Sequence, residues 1–407
     1  MKIAAIISEY NPFHNGHAYQ IAQTKQQLNA DFVIAIMSGN YVQRGEPAIF
    51  DKWTRTHLAL LGGIDVVIEL PTLYSTASAE LFARGSVDLL TQLNCIDYLS
   101  FGSEHGNLGA ISDLAHLFLN ETDAYRDQLK ANLKSGYSYP KARSLAASRI
   151  YPDYEYLLKG SNNILAIEYL KALESLSSTI RPFTIQRIGS SYLETKLYGN
   201  YASATAIRLA IENNKSNEIS LTMPSACGDY IASKLNHTIF PIFAKDCHPY
   251  YRYILNVNHP SLENIFDFPL ELKNRLQNSI TPANDYELFI DKVQSKNYTK
   301  TTIQRALLHS FLNIETSTIE EKQDSQLHSY VKILGFKKSA GPVLSLLKKQ
   351  SHLPLITNVH NHQKTLDLVG QKMLDDEIRY TRLYNNLVLE KSNQVKKNDY
   401  TQPIIIL

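Results

Sequence analysis

Four short apolar runs, each closed by turn residues and followed by a segment of helical spacing, constrain this chain more than any other feature. The runs are Ile3-Ala4-Ala5-Ile6-Ile7, Asp31 to Met37, Asp65 to Leu70 and Tyr98 to Ser103. A continuous apolar run of this length suits a strand covered on both faces. Between the runs, Ile21, Ala22 and Leu28 share one helix face, as do Trp53, Leu58, Leu60 and Leu61 before Gly62-Gly63, and Leu81, Phe82, Val87, Leu89, Leu90 and Leu93. Parallel neighbours joined through single helices require crossover connections, so the expected fold is α/β with a doubly wound parallel sheet. Ligands of such sheets bind beyond the carboxyl ends of the strands, at the point where strand order reverses. The turns at those ends are Glu9 to His17, Ser38 to Arg44, and Gly102-Ser103-Glu104.

The first turn carries the chemistry. Pro12 directs Asn11 away from helical geometry, and His14-Asn15-Gly16-His17 then opens the first helix. The leading amides of a helix lack intrahelical partners and attract anions such as phosphate. Two imidazoles three residues apart add donors at the same place, and the glycine between them lets a ligand approach the backbone. Such a turn stabilises charge on a phosphate that another group attacks, with no enzyme nucleophile. Taken alone, the two histidines also fit a metal pair or ordinary surface residues.

Further along, Ser161-Asn162-Asn163 precedes a periodic apolar run, which reads as a helix start with one asparagine as cap and the other free to meet a ligand. The run Phe183 to Gly189 reads as a strand with Arg187 near its carboxyl end, aimed at the crevice or snorkelling. Ser203-Ala204-Thr205-Ala206-Ile207-Arg208 begins another helix, where a capping serine, free amides, Thr205 and Arg208 form a second anion site. Gly102 is placed for backbone approach to a nucleotide, or simply ends its strand. Arg44, Lys52 and Arg55 contact phosphates or lie on exposed loop and helix surface.

Together these residues carry a resemblance. His14-x-Gly16-His17 after a strand resembles the HxGH signature of the nucleotidyltransferase superfamily related to class I aminoacyl-tRNA synthetases. The longer string from Glu9 to His17 resembles the bacterial tRNA(Met) cytidine acetate ligase family, and Ser203 to Arg208 resembles the superfamily's phosphate-closing helix start. The likeness covers the first ~210 residues well and the remainder more weakly. It implies a Rossmann-like domain in which Ile7, Ser8, Glu9, Tyr10, Asn11, Pro12, Phe13, His14, Asn15, Gly16, His17, Ala18, Tyr19 and Gln20 bind ATP with Gly102, Asn162, Asn163 and Arg187. His14 and His17 are the catalytic donors, and Ser203, Thr205 and Arg208 hold the phosphates from the other side. The implied reaction uses ATP as substrate, with Mg²⁺ assisting and no metal site in the protein. Acetate is activated as acetyl-adenylate, and the acetyl group passes to N4 of the wobble cytidine of elongator tRNA(Met). Two departures concern fine substrate contacts: the family has a proline where Ser161 stands, and a His-Asp where Leu193-Glu194 follow Tyr192.

The rest of the chain bounds its partners. At 407 residues and 44% hydrophobic content it can bury a sizeable core in more than one domain. We expect a catalytic domain over 1–215 and a mainly helical, locally basic tRNA-binding region over 216–407. The net charge of +2 confines any RNA site to local patches. Candidates are Lys300 and Arg305, then Lys337 and Lys338 within a cluster that includes Lys332, Lys348 and Lys349, with Tyr298 and Phe336 available to stack on bases. Solvated helix faces are the alternative, and Glu320, Glu321 and Asp324 offset the charge. Cys95, Cys227 and Cys247 have no metal-ligand spacing and read as reduced thiols of a cytoplasmic protein, Cys95 in the core. Neither a signal peptide nor a membrane-spanning run is expected. Ile404 to Leu407 is β-prone and adds an edge strand or docks on a partner, while oligomeric state has no readable trace. Two other functions fit parts of the pattern: joining AMP to a small phosphorylated metabolite, and non-catalytic RNA binding on a degenerate nucleotide fold. The first leaves the helical extension unexplained, and the intact His14, Gly16, His17, Ser203, Thr205 and Arg208 argue against the second.

Overall fold

The structure, a computed structural model, describes residues 1–188, 201–215, 219–257, 260–280, 285–323 and 327–407. Gly189, the Tyr192-Leu193-Glu194 loop and Asp324 therefore lie outside the described residues. Strands in chain order are β1 (Ile3–Ser8), β2 (Phe32–Ser38), β3 (Tyr41–Val42), β4 (Glu46–Pro47), β5 (Val66–Leu70), β6 (Tyr98–Ser103), β7 (Arg181–Gln186), β8 (Val331–Phe336), β9 (Leu355–Ile356) and β10 (Ile405–Ile406). The main sheet runs β10-β8-β5-β2-β1-β6-β7, and β5, β2, β1, β6 and β7 are all parallel. Strand order reverses between β1 and β6, so the switch point lies beyond Ser8 and Ser103.

Side-chain alternation divides the core between the two faces of the sheet. Ile3, Ala5, Ile34, Ile36, Val66 and Ile68 point to one face, where the helices Ala79–Leu93, Leu108–Leu119 and Ser161–Ser175 cover them. Ala4, Ile6, Val33, Ala35, Met37 and Val67 point to the other, under α1 (Asn15–Leu28), α2 (Lys52–Leu61) and the helix Ala204–Glu212. Burial on both faces is the reason these strands read as unbroken apolar runs.

Residues beyond 215 are mainly helical, yet they also contribute to this sheet: β8 pairs antiparallel with β5, and both β9 and β10 pair parallel with β8. The two halves of the chain thus share one hydrophobic layer, and the terminal Ile405–Ile406 forms the edge strand. Gly335 allows this close approach, because a Cβ there would lie 2.7 Å from Thr56 Cγ2 and 2.8 Å from the Ile405 carbonyl oxygen.

The β8 insertion changes the reading of several charged residues. Lys332 is not part of an RNA-facing patch: it is buried with Lys52 among Glu69 and Asp399, where Lys52 Nζ reaches both carboxylates at 2.7 Å and Lys332 reaches Glu69 at 2.8 Å and also pairs with Asp399. Phe336 packs on the core instead of offering a stacking face. Lys52 and Arg55 are both 0% exposed, so neither is a phosphate ligand nor a surface residue. Arg55 donates to the carbonyls of Glu9, Gly39 and Phe50 and ties the first two strand-end turns together. Cys95 is half-buried, while Cys227 and Cys247 are buried.

Candidate functional site

The turn after β1 places its two histidines by hydrogen bonds to the backbone. Asn11 Oδ1 accepts the Ile49 N–H at 2.7 Å, which fixes the turn to the segment before α2. Phe13 is buried against Gly62, where a Cβ would come within 2.1 Å of its ring. His14 is thereby set at the N-cap of α1, its Nδ1 accepting the Gly16 N–H at 3.0 Å, while His17 Nδ1 accepts the His14 N–H at 3.2 Å. The imidazoles cap the helix reciprocally and stack with centroids 3.8 Å apart. A ring nitrogen that accepts carries no proton, so each neutral ring holds its proton on Nε2. Burial, then the positive charges of Arg187 and Arg208, push the His14 pKa down to about 3. Burial, His14 and Arg187 lower that of His17 as well. Both rings are therefore neutral Nε2–H donors near pH 7.

The second candidate anion site faces this turn. Ser203 Oγ accepts the Ala206 N–H at 3.1 Å and caps the helix Ala204–Glu212. Arg208 donates from Nη1 to the Asn11 carbonyl at 2.9 Å and from Nη2 to Thr205 Oγ1 at 3.2 Å. One guanidinium thus locks the helix start to the histidine turn.

Gly102 lies at the end of β6, and a Cβ on it would sit 3.2 Å from Arg187 Cγ, so the missing side chain makes room for that arginine. Arg187 is anchored by its own N–H to the Ser103 carbonyl at 2.9 Å, and its Nη1 approaches Asn162 Oδ1 at 3.5 Å. The paired asparagines do not cap their helix. The cap comes from Glu104, whose carboxylate accepts the N–H of Asn162 at 3.0 Å and of Asn163 at 2.8 Å. Asn163 is buried, and its Oδ1 accepts the Glu104 N–H at 3.0 Å, so its side chain serves the turn and not the crevice.

These elements surround a cleft of about 1160 Å³, open on one side. Of the residues expected to bind ATP, Ile7, Ser8, Glu9, Tyr10, Asn11, His14, His17, Gln20, Gly102, Asn162, Arg187, Ser203, Thr205 and Arg208 line it. A smaller lobe of about 510 Å³ continues past His14, His17, Gly102 and Arg187 to Tyr19, Gly16, Ile185 and Tyr201. Pro12, Phe13, Asn15, Ala18 and Asn163 line neither. Arg44 does line the cleft. Sequence reasoning missed Gln43, Phe82, Phe101, Leu165 and Tyr169, which join the larger lobe. Phe82, Phe101, Leu165 and Tyr169 have the apolar spacing of core residues, Gln43 is a polar turn residue, and no local signal distinguishes them.

The four candidate RNA-contacting cations fall at two places. Arg305 stands on the helix Lys300–Leu312, whose backbone packs against Gly45, next to Arg44 on the cleft rim. It pairs with Asp267 at 3.4 Å, and Lys300 pairs with Glu287 at 2.5 Å. Lys337 and Lys338 follow the end of β8, where the Lys337 N–H meets the Asp65 carbonyl at the amino ends of the parallel strands. They are therefore at the opposite edge of the sheet from the cleft. Tyr298, offered for base stacking, hydrogen-bonds Glu271 through its hydroxyl. Among the described residues, no group of three His, Cys, Asp or Glu side chains could hold a metal ion, and no helix is long and apolar enough to cross a membrane.

Comparison with known proteins adds to this geometry. The sequence profile of the HIGH Nucleotidyl Transferase family matches residues 1–400. The tRNA(Met) cytidine acetate ligase of Thermoanaerobacter sp. (strain X514) is 40% identical over 409 residues, covering all of both chains. That of Acetivibrio thermocellus is 36% identical over 419 residues, again covering both completely. The crystal structure of Thermotoga maritima TmcAL bound with alpha-thio ATP superposes with a TM-score of 0.91 at 30% identity over the whole of both chains, and the apo form with a TM-score of 0.93.

Proposed function

The chain belongs to the HIGH nucleotidyl transferases and, within them, to the tRNA(Met) cytidine acetate ligase family, and from this we propose that it activates acetate with ATP and acetylates N4 of the wobble cytidine of elongator tRNA(Met). The observation that carries the reading is the double anion site: two neutral histidine donors on one helix start, a capped second helix start, and Arg208 hydrogen-bonded to both.

In this reading the triphosphate lies between His14/His17 and Ser203/Thr205/Arg208, with the adenosine toward Gly102, Arg187 and the smaller lobe. An acetate oxygen attacks the α-phosphorus, the bond to the β-phosphate bridging oxygen breaks, and pyrophosphate leaves with acetyl-adenylate remaining. The Nε2–H groups donate to phosphate oxygens as charge shifts toward the leaving group, and they need no protonation change to do so. Mg²⁺ would supply further charge neutralisation on the phosphates. Among the described residues the cleft wall offers a metal a single carboxylate, Glu9, so the ion would be held mainly by ATP oxygens and water. The N-terminal half binds ATP, the region after 215 positions tRNA through Lys300, Arg305, Lys337 and Lys338, and the enzyme works in the cytoplasm where ATP and tRNA meet.

The test is the fate of labelled acetate mixed with the protein, ATP, Mg²⁺ and bulk bacterial tRNA. Label in tRNA as N4-acetylcytidine is the expected result. An absence of transfer, together with no acetyl-adenylate in the tRNA-free control, would overturn the acetate assignment.

A further inference from the structure

A carboxylate is out of place in a wall built for phosphates, and Glu9 is the one acidic side chain among the described residues lining this cleft, against Arg44, Arg187 and Arg208. It is also held on two sides. Its backbone carbonyl accepts from buried Arg55 at 2.6 Å, and its Oε1 accepts the Gln43 N–H at 2.9 Å. The other oxygen, Oε2, takes part in no hydrogen bond or ion pair among the described residues. Glu9 lines the larger lobe together with the two helix starts that fit phosphate, and the largely buried Phe82, Phe101 and Tyr169 form its apolar floor. The Glu9 charge is close enough to Tyr169 to add to burial in raising the phenol's pKa.

We propose that Glu9 and this aromatic lobe form the subsite for the acceptor cytosine, with the Glu9 carboxylate receiving a hydrogen bond, and then the proton, from N4. The inference rests on the function proposed above and names the acceptor end of the same cleft. Cytosine presents an N4 amine that glutamate accepts from, and a flipped base packs against an apolar floor. The amine is a poor nucleophile because its lone pair is shared with the ring, so a fixed proton acceptor is what the transfer step lacks otherwise. In that step N4 bonds to the acetyl carbonyl carbon, the carbon–oxygen bond to the phosphate breaks, AMP leaves with the electron pair, and the N4 proton moves to Glu9. His14 and His17 cannot substitute readily, because each Nδ1 is occupied by a backbone amide and each Nε2 carries a proton.

The test separates the two half-reactions in Glu9→Gln, which keeps an oxygen to accept the Gln43 amide. Acetyl-adenylate formation is followed without tRNA, and single-turnover transfer to tRNA is followed after mixing. Transfer is expected to fall about 100-fold further than adenylate formation, and Glu9→Asp to recover part of the difference. Equal loss of both steps with an altered Mg²⁺ requirement would overturn the proposal in favour of a metal ligand. Transfer as fast as in the unsubstituted protein would overturn it outright. A thermal melt unchanged from the parent protein excludes misfolding as the source of any loss. If the unsubstituted protein itself acetylates no tRNA, the parent reading fails and takes this one with it, whereas an active parent and an equally active Glu9→Gln remove this one alone.

Discussion

His17 Nδ1 accepts the backbone N–H of His14 at 3.2 Å, so the second histidine of the turn fixes the position of the first. Substituting His17 removes part of a helix cap and, in the proposed mechanism, a donor to phosphate. His17→Ala is expected to lower the rate of acetyl-adenylate formation by about 2.7 to 4 kcal/mol, the usual value of a lost oxyanion donor. The lost cap costs about 1 kcal/mol of stability. Kinetics and urea denaturation measured on the same variant read the two effects separately, and an unchanged rate would remove the imidazoles from the mechanism.

The histidine pair also sets a dependence on pH. Each ring titrates lower in the folded protein than in the unfolded chain, His14 at about 3 instead of 6.5. Between those values the unfolded state binds more protons, so stability is fully present above 6.5 and declines as pH falls toward 3. The slope reaches about 1.4 kcal/mol per pH unit for His14 in that window, and His17 adds in the same direction. Denaturation midpoints measured from pH 7.5 to 4.5 are expected to fall, and His14→Asn to flatten the curve. Adenylate formation between pH 6.5 and 8 is expected to show no limb from these rings.

Lys52 joins the chain's distant halves through Glu69 and Asp399. Lys52→Met leaves two buried carboxylates sharing Lys332, and breaking one member of such a cluster costs about 3 to 5 kcal/mol. Urea denaturation is expected to show a loss of that size, largely insensitive to salt because the charges are shielded from solvent. A loss under about 1 kcal/mol would place the cluster among interactions of surface strength.

Salt dependence of tRNA binding distinguishes the two groups of cations. Every RNA phosphate that a substitution leaves without its cation lowers the slope of log K against log salt by about 0.7 to 0.9. Arg305→Ala, beside the cleft rim, with Lys300→Ala on the same helix is expected to reduce that slope and slow transfer. The pair Lys337→Ala and Lys338→Ala is expected to reduce affinity less, because it acts from the far edge of the sheet. An unchanged slope in the second pair would restrict the tRNA to the cleft end, and ATP affinity is expected to be retained in both.

Much of this was legible in the residues themselves. Strands buried on both faces are apolar at most positions, so β1, β2, β5 and β6 announce themselves locally. A proline-directed turn followed by His14-Asn15-Gly16-His17 states where the first helix starts, and Ser203 caps its helix as its neighbours suggest. The asparagine pair misled, because the group that caps its helix is Glu104, far away in sequence and adjacent only once β6 and the helix Ser161–Ser175 pack.

The sequence by itself determined the elements whose signals are short-range: burial on both faces, caps, and turn residues. Tertiary structure alone decided which charges are usable. Lys52, Arg55 and Lys332 look like any basic residues, and only the fold sets Lys52 and the β8 residue Lys332 between Glu69 of β5 and Asp399, which neutralise the two lysines in the interior. Glu9 looks like a turn acid until Arg55 and the Gln43 amide fix it in the cleft wall. The physical reason is that the free energy of a buried charge depends on partners supplied by distant parts of the chain, whereas an apolar side chain lowers its free energy in almost any dry surrounding.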